Sequence, residues 1–482
     1  MTIPSLKRRG FLKTAACGFG LLALKGLLSG SALAGEPENP LAPKPVHFAS
    51  RAKRVIFLFM RGGPSQVDSF DYKPKLQENH DKPLPFELPK LQVTQKRSLG
   101  KLMGSPFKWK QYGQCGLWVS ELFPNIARHV DDLCVINSMH TDGVDHGQAT
   151  NRLHTGQDTF IRPSLGSWSV YGLGTENQNL PGFITICPLK GEVGNRSYSS
   201  AFLPAVYSGT PVGVEGIPAK EARIRNIRNE KIPVDVQRQQ LDLLSSLDKE
   251  HQQHAAEDAR LQGMMDAFEL AFRMQGEVPG VMDISKESPE TLKQYGIGDS
   301  ITDNFGRQCL MARKLSEAGV RFVQVTHGTE GGEFPGWDQH AHLKAGLEFN
   351  ASHTDKPVAG LLADLKARGL LKDTLVIWGG EFGRTPVTEG RFGSFGRDHN
   401  PYGFTMWLAG GGAKGGLRYG KTDDFGYYAT ENKVHMHDLH ATVLHLLGLD
   451  HEKLTYRYAG RDFRLTDVYG NAVKDIISEH KQ

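Results

Sequence analysis

The sequence predicts an α/β protein with a mostly parallel central sheet, helices on both faces and a helical insertion. Three observations carry that expectation. Apolar runs at residues 54–60, 133–139, 374–378 and 404–409, with another beginning at Val320, have the length and the β-branched and aromatic content of strands buried on both faces of a sheet. Segments with helical spacing separate several of these runs, the alternation that builds parallel sheets. Loops rich in glycine, histidine and carboxylates adjoin the runs, and open α/β sheets place ligand sites in loops at the carboxyl ends of their strands.

A chain of 482 residues, 39% hydrophobic and 23% charged, can bury a large core and is too apolar for bulk disorder. Its formal charge of +4 is small, and the basic residues are scattered instead of forming a stripe interleaved with aromatics, which argues against a nucleic-acid partner. After residue 35 no run reaches the ~18 consecutive apolar residues of a membrane helix. Membrane contact is therefore expected only through an uncleaved signal.

That signal is the amino-terminal segment. Lys7-Arg8-Arg9-Gly10-Phe11-Leu12-Lys13 precedes an apolar run over 14–33, and Ala32-Leu33-Ala34 offers a small-x-small cleavage site. The segment resembles a bacterial twin-arginine export signal, with Lys7 where Ser or Thr is usual and Lys25 inside the apolar run. The expectation is removal of residues 1–34, a Pro-rich linker over 35–50, and a periplasmic or extracellular protein. Cys115, Cys134, Cys187 and Cys309 then remain, spaced too widely for a C-x-x-C metal knuckle. They read as core residues, and the sequence does not choose among their three possible pairings.

In chain order, the strand at 54–60 runs into Arg61-Gly62-Gly63-Pro64, where glycines admit a ligand to the backbone and Arg61 adds a guanidinium suited to phosphate or sulfate. The strand at 133–139 delivers His140, Asp142, Asp145, His146 and His154, residues that could bind metal, donate to an oxyanion or cap helices. Leu, Met and Phe at three- and four-residue spacing over 234–275 mark one or two amphipathic helices, read as a cap or lid. A helix over 303–318 leads into the strand at Val320, and another over 343–369 leads into 374–378.

The chain is organised around Trp337-Asp338-Gln339-His340-Ala341-His342. Asp338 and His342, four positions apart, fall on one side of a helical turn and can close on a single divalent cation. Glu381 and Arg384 follow the strand at 374–378, and Asp398 and His399 precede the strand at 404–409. Together with His140, Asp142, Asp145 and His340, they complete the candidate set.

Three phrases, Phe-Met-Arg-Gly-Gly-Pro-Ser-Gln-Val-Asp-Ser-Phe-Asp, Glu-Phe-Gly-Arg-Thr-Pro and Asp-His-Asn-Pro-Tyr-Gly-Phe-Thr-Met-Trp-Leu-Ala-Gly-Gly-Gly, resemble the exported bacterial proteins grouped as DUF1501. The order of strand-end loops resembles the alkaline phosphatase and sulfatase superfamily. That resemblance implies an alkaline-phosphatase-like fold with Asp338, His342 and His399 as ligands of one metal. Glu381 falls where a second metal takes an aspartate, Phe382 where a histidine follows it, and Arg61 where the first strand ends in a metal-binding aspartate. His146 falls near the usual nucleophile.

With those substitutions the implied centre is mononuclear, zinc first and calcium or manganese as alternatives. Arg61 would hold an anionic group and His146 would move a proton. The expected activity is metal-dependent hydrolysis of phosphate or sulfate esters on a small molecule or polysaccharide. The alternative is a non-catalytic exported scaffold or binding protein that keeps the fold.

Overall fold

Nine strands form the central sheet: β1 (Arg54–Met60), β2 (Leu133–His140), β3 (Phe183–Ile186), β4 (Thr210–Val212), β5 (Phe322–His327), β6 (Thr374–Gly379), β7 (Phe404–Ala409), β8 (Leu417–Tyr419) and β9 (Val434–His435). The spatial order is β8-β2-β7-β6-β1-β5-β3-β4, with β9 paired to β2. Every pairing is parallel except those of β7 with β2 and β6. This computed structural model describes residues 39–86, 100–254, 259–328, 334, 336–391 and 394–479. The signal expected over 1–34 lies outside the described residues.

The strands at the centre of the sheet are buried along their whole length, from Val55 to Met60 in β1 and throughout β5, β6 and β7. Side chains alternate across a strand, so continuous burial means that both faces are covered. On one face Phe57 and Phe59 meet the His154 ring of helix α1 (His146–Thr155), at centroid distances of 5.6 and 4.7 Å. Trp378 of β6 stacks on Trp407 of β7 and meets Phe70, Phe123 and Trp337 edge-on. Helix α2 (Leu165–Leu173) follows α1, and residues 41–44 run beside its end with Leu41 buried.

The expected insertion is a pair of helices, α3 (Val234–His254) and α4 (Ala259–Met282). Leu241, Met264, Met265 and Phe268 form a small core of their own between them, and Arg238 bridges to Glu269. The second helix continues past the expected end near Gln275 and carries Pro279 within it. Helix α5 (Asp303–Glu317) leads into β5 and helix α6 (Leu343–Ala367) into β6, as expected, and α7 (Met436–Leu446) closes the fold. Cys134, Cys187 and Cys309 are free and buried, while Cys115 is free but exposed. No helix among the described residues is long and apolar enough to cross a membrane.

Candidate metal centre

Five chain segments meet at one edge of the sheet. The carboxyl ends of β1, β2, β5 and β6 deliver Gly62, His146, Asp338 and Glu381. Because β7 runs antiparallel to β6, its amino end lies at that same edge, and His399 stands just before it.

There, Nε2 of His146, His340 and His399 lie 3.2, 2.9 and 3.4 Å from one oxygen, Oδ1 of Asp338. The donor atoms of these four side chains all fall within 4.8 Å of one another. Nε2 of His340 is 3.0 Å from Nε2 of His399. The buried Nε2 of His146 has no aligned hydrogen-bond partner, its 3.2 Å approach to Asp338 being poorly directed.

The other ring nitrogen of each imidazole is engaged elsewhere. Nδ1 of His146 lies 2.6 Å from Oε1 of Glu381, that of His399 lies 2.9 Å from the carbonyl oxygen of Val144, and that of His340 bonds to the carboxylate of Glu389. An oxygen acceptor at Nδ1 fixes the neutral ring's proton there, so in its neutral form each imidazole can offer an Nε2 lone pair to a cation beside Asp338. Metal-binding histidines are held by their far nitrogen in this way.

The surroundings set the charges. Glu381 is fully buried, and its two oxygens accept the backbone N–H of Gly62 at 3.0 and 3.1 Å. Gly62 has φ 105°, and a Cβ there would lie 2.7 Å from the backbone nitrogens of Trp337 and Asp338. Only glycine lets β1 approach the Asp338 loop this closely. Nη2 of the buried Arg384 sits 2.6 Å from Oδ1 of Asp338 and also donates to the carbonyl oxygen of Gly62. Burial alone would raise the Asp338 carboxyl, but the three imidazoles crowded against it and the charge of Arg384 hold it well below the usual carboxylate range. Burial would lower His146, yet the adjacent carboxylates of Asp338 and Glu381 raise it to about 9. For His399, burial outweighs the Asp338 hydrogen bond and, with Arg384 and His146 nearby, lowers the ring. Phe382 stacks on His399 at 4.4 Å and closes one side of the group.

The structure redistributes several expected roles. Asp338 and His342 are not on a helical turn. The chain from Asp338 to His342 is an irregular loop, and α6 begins only at Leu343. His342 adopts φ 51°, ψ 39° at the end of that loop, its ring faces Phe334, and it is outside the group. In its place stands His340, two residues from Asp338. The guanidinium beside the group belongs to Arg384, since Arg61 pairs with Glu215 at 3.1 Å and is partly exposed. The glycines after β1 bring backbones together, with the Gly62 N–H taken by Glu381. Glu381 is a buried partner of His146 and not a member of the ligand group.

His140, Asp142 and Asp145 are outside the group and have partners of their own. Burial and the neighbouring His435 lower His140 to about 4. A hydrogen bond from His435 holds Asp142 at about 2, and Arg152 pairs with it at 3.4 Å. Asp145 caps α1 by accepting from the Gln148 N–H. Asp398 is 3.9 Å from Nδ1 of His340 and accepts from its neighbour's backbone, the N–H of His399. Glu389 escaped the sequence reading. Its only signal was a carboxylate between the Glu381 and Asp398 motifs.

A half-exposed four-residue group of this kind at the carboxyl edge of an α/β sheet defines a candidate metal-site protein. The profile described as "Protein of unknown function (DUF1501)" matches residues 52–477, and the chain belongs to that family. No curated protein matches. Among solved structures, the lipoteichoic acid synthase LtaP from Listeria monocytogenes is 11% identical over 85% of this chain and 76% of its own, at a TM-score of 0.35. The PsFucS1 sulfatase from Pseudoalteromonas sp. is 14% identical over 83% and 69%, at 0.35. The alkaline phosphatase from the Antarctic bacterium TAB5 is 10% identical over 82% and 98%, at 0.32.

Proposed function

We propose that this protein is an exported, metal-dependent hydrolase of phosphate or sulfate esters with a mononuclear centre formed by His146, Asp338, His340 and His399. One observation carries the reading: three imidazoles, each tied at Nδ1 to an oxygen acceptor, direct Nε2 to the same carboxylate oxygen. Three nitrogens and one oxygen form a donor set suited to zinc. A divalent cation there would draw charge from an ester oxygen and ease the ionisation of water at neutral pH.

The chain's own groups support that chemistry. Glu381 and Glu389 orient His146 and His340, and the Val144 carbonyl orients His399. Arg384 keeps Asp338 ionised and in place. Without a cation, His146 carries a proton between Asp338 and Glu381, and metal binding displaces that proton. A second cation is disfavoured because both oxygens of Glu381 are engaged and Arg384 adds positive charge beside Asp338. His146 falls near the position where the superfamily resemblance puts a nucleophile, so attack is assigned to water and not to a side-chain hydroxyl.

The test is turnover of aryl phosphate and aryl sulfate panels by protein loaded with zinc, manganese or calcium. Hydrolysis that His399→Ala abolishes is expected. Stoichiometric metal retention without turnover of any ester contradicts the hydrolase and leaves the binding-scaffold alternative.

A further inference from the structure

Away from the metal group, a cavity of about 430 Å³ opens between residues 219–227, the end of α4, residues 283–297 and α5. Its volume lies within the ~300–1,000 Å³ of small-ligand pockets. The wall is aliphatic, formed by Ile224, Ile227, Met282, Leu292, Ile297 and Met311, with no aromatic ring among the described residues that line it. Pro279 of α4 also faces it.

The polar lining is unequal in charge. Arg307 is neutralised by Asp303, which it grips through Nε at 2.8 Å and Nη2 at 3.0 Å. Asp283 turns to the N–H and hydroxyl of Ser285. Arg223 donates only to the backbone carbonyls of Lys220 and Ala222 and forms no ion pair among the described residues, while Lys220 forms none either but lies within reach of the Asp303 charge that Arg307 already holds. Both are exposed, so an unpaired guanidinium stands at the mouth of an apolar cavity, with an ammonium that shares Asp303 beside it.

We infer that this cavity is a binding site for a medium-chain aliphatic carboxylate, its chain against the Ile, Leu and Met wall and its head group on Arg223 and Lys220. A flexible alkyl chain fits a wall of branched and thioether side chains without leaving buried polar atoms unpaired. The guanidinium fork matches a planar carboxylate. The site is independent of the metal reading.

The experiment is isothermal titration of the full chain with decanoate, with decanol as the uncharged control. Saturable one-to-one binding of decanoate is expected, weakened at least about tenfold by Lys220→Glu/Arg223→Glu, the change that loss of a charge-assisted bond produces. Ile224→Trp, which fills the cavity, should abolish binding, while His399→Ala should leave it unchanged and so excludes capture by the metal group. Both sets of variants sit on exposed or half-buried positions, and thermal unfolding verifies their folding. No saturable binding, equal affinity for decanol, or full affinity in either cavity variant overturns the proposal.

Discussion

Nδ1 of His146 lies 2.6 Å from Oε1 of Glu381, a carboxylate with no solvent exposure whose oxygens also receive the Gly62 N–H. This contact couples the first strand, the helix after β2 and the loop after β6 into one support for the candidate metal centre.

Glu381→Gln keeps the size of that support but removes its charge and sets an NH2 donor against the Gly62 N–H that both carboxylate oxygens accept, which weakens the hold on the His146 ring. Metal affinity is expected to fall by roughly 10–100-fold, the usual cost of losing a histidine's outer partner. Chelator competition measures it. Unchanged affinity would show that His146 is not held for a cation.

His340 and His342 separate the geometry from the sequence pattern. His340→Ala should lower metal affinity sharply, and His342→Ala should leave it within about twofold, since His342 lies outside the group. The reverse result would restore the pairing of Asp338 with His342.

Arg397 and Asp68 form an ion pair with both side chains fully buried, Nε to Oδ2 at 2.7 Å, and Arg397 also donates to the carbonyl oxygens of Thr385 and Met103. Asp68→Ala strands that guanidinium and should destabilise the protein by roughly 3–5 kcal/mol. Denaturant unfolding reads the change, and a loss below about 1 kcal/mol would contradict it.

Two histidines away from the metal group predict an acid limb. Burial lowers both His154 and His440 to about 3 from the ordinary 6.5. Their neutral forms are the native ones, so the unfolded chain binds protons that the folded chain does not. Their contribution is complete above pH ~6.5 and is lost as pH falls toward ~3. At pH 5 each should cost roughly 2 kcal/mol in chelator-treated protein. His154→Leu, placed against Phe57 and Phe59, should flatten the slope of stability against pH. An unchanged slope would mean that His154 is protonated in the fold.

The sheet was legible because buried strands of an α/β sheet are apolar on both faces, as the 54–60 and 374–378 runs are. The edge at which the site lies was legible too, since glycine and histidine cluster in the loops that follow or precede those runs. The choice among neighbouring side chains was not. The spacing of Asp338 and His342 fits a helical turn, but the loop is irregular, and a left-handed His342 turns its ring aside while His340 faces the group. Arg61 and Arg384 look interchangeable along the chain, and only the fold shows Glu215 taking Arg61 and leaving Arg384 to Asp338. The α4 boundary was missed because Pro279 ordinarily signals a helix end, yet it lies within that helix.

The most direct test of the central claim is an anomalous difference map, recorded at the zinc edge, from a crystal of zinc-loaded protein. The expected result is a single strong peak bounded by Nε2 of His146, His340 and His399 and a carboxylate oxygen of Asp338. A map with no peak there, or a peak held by other residues, would contradict it.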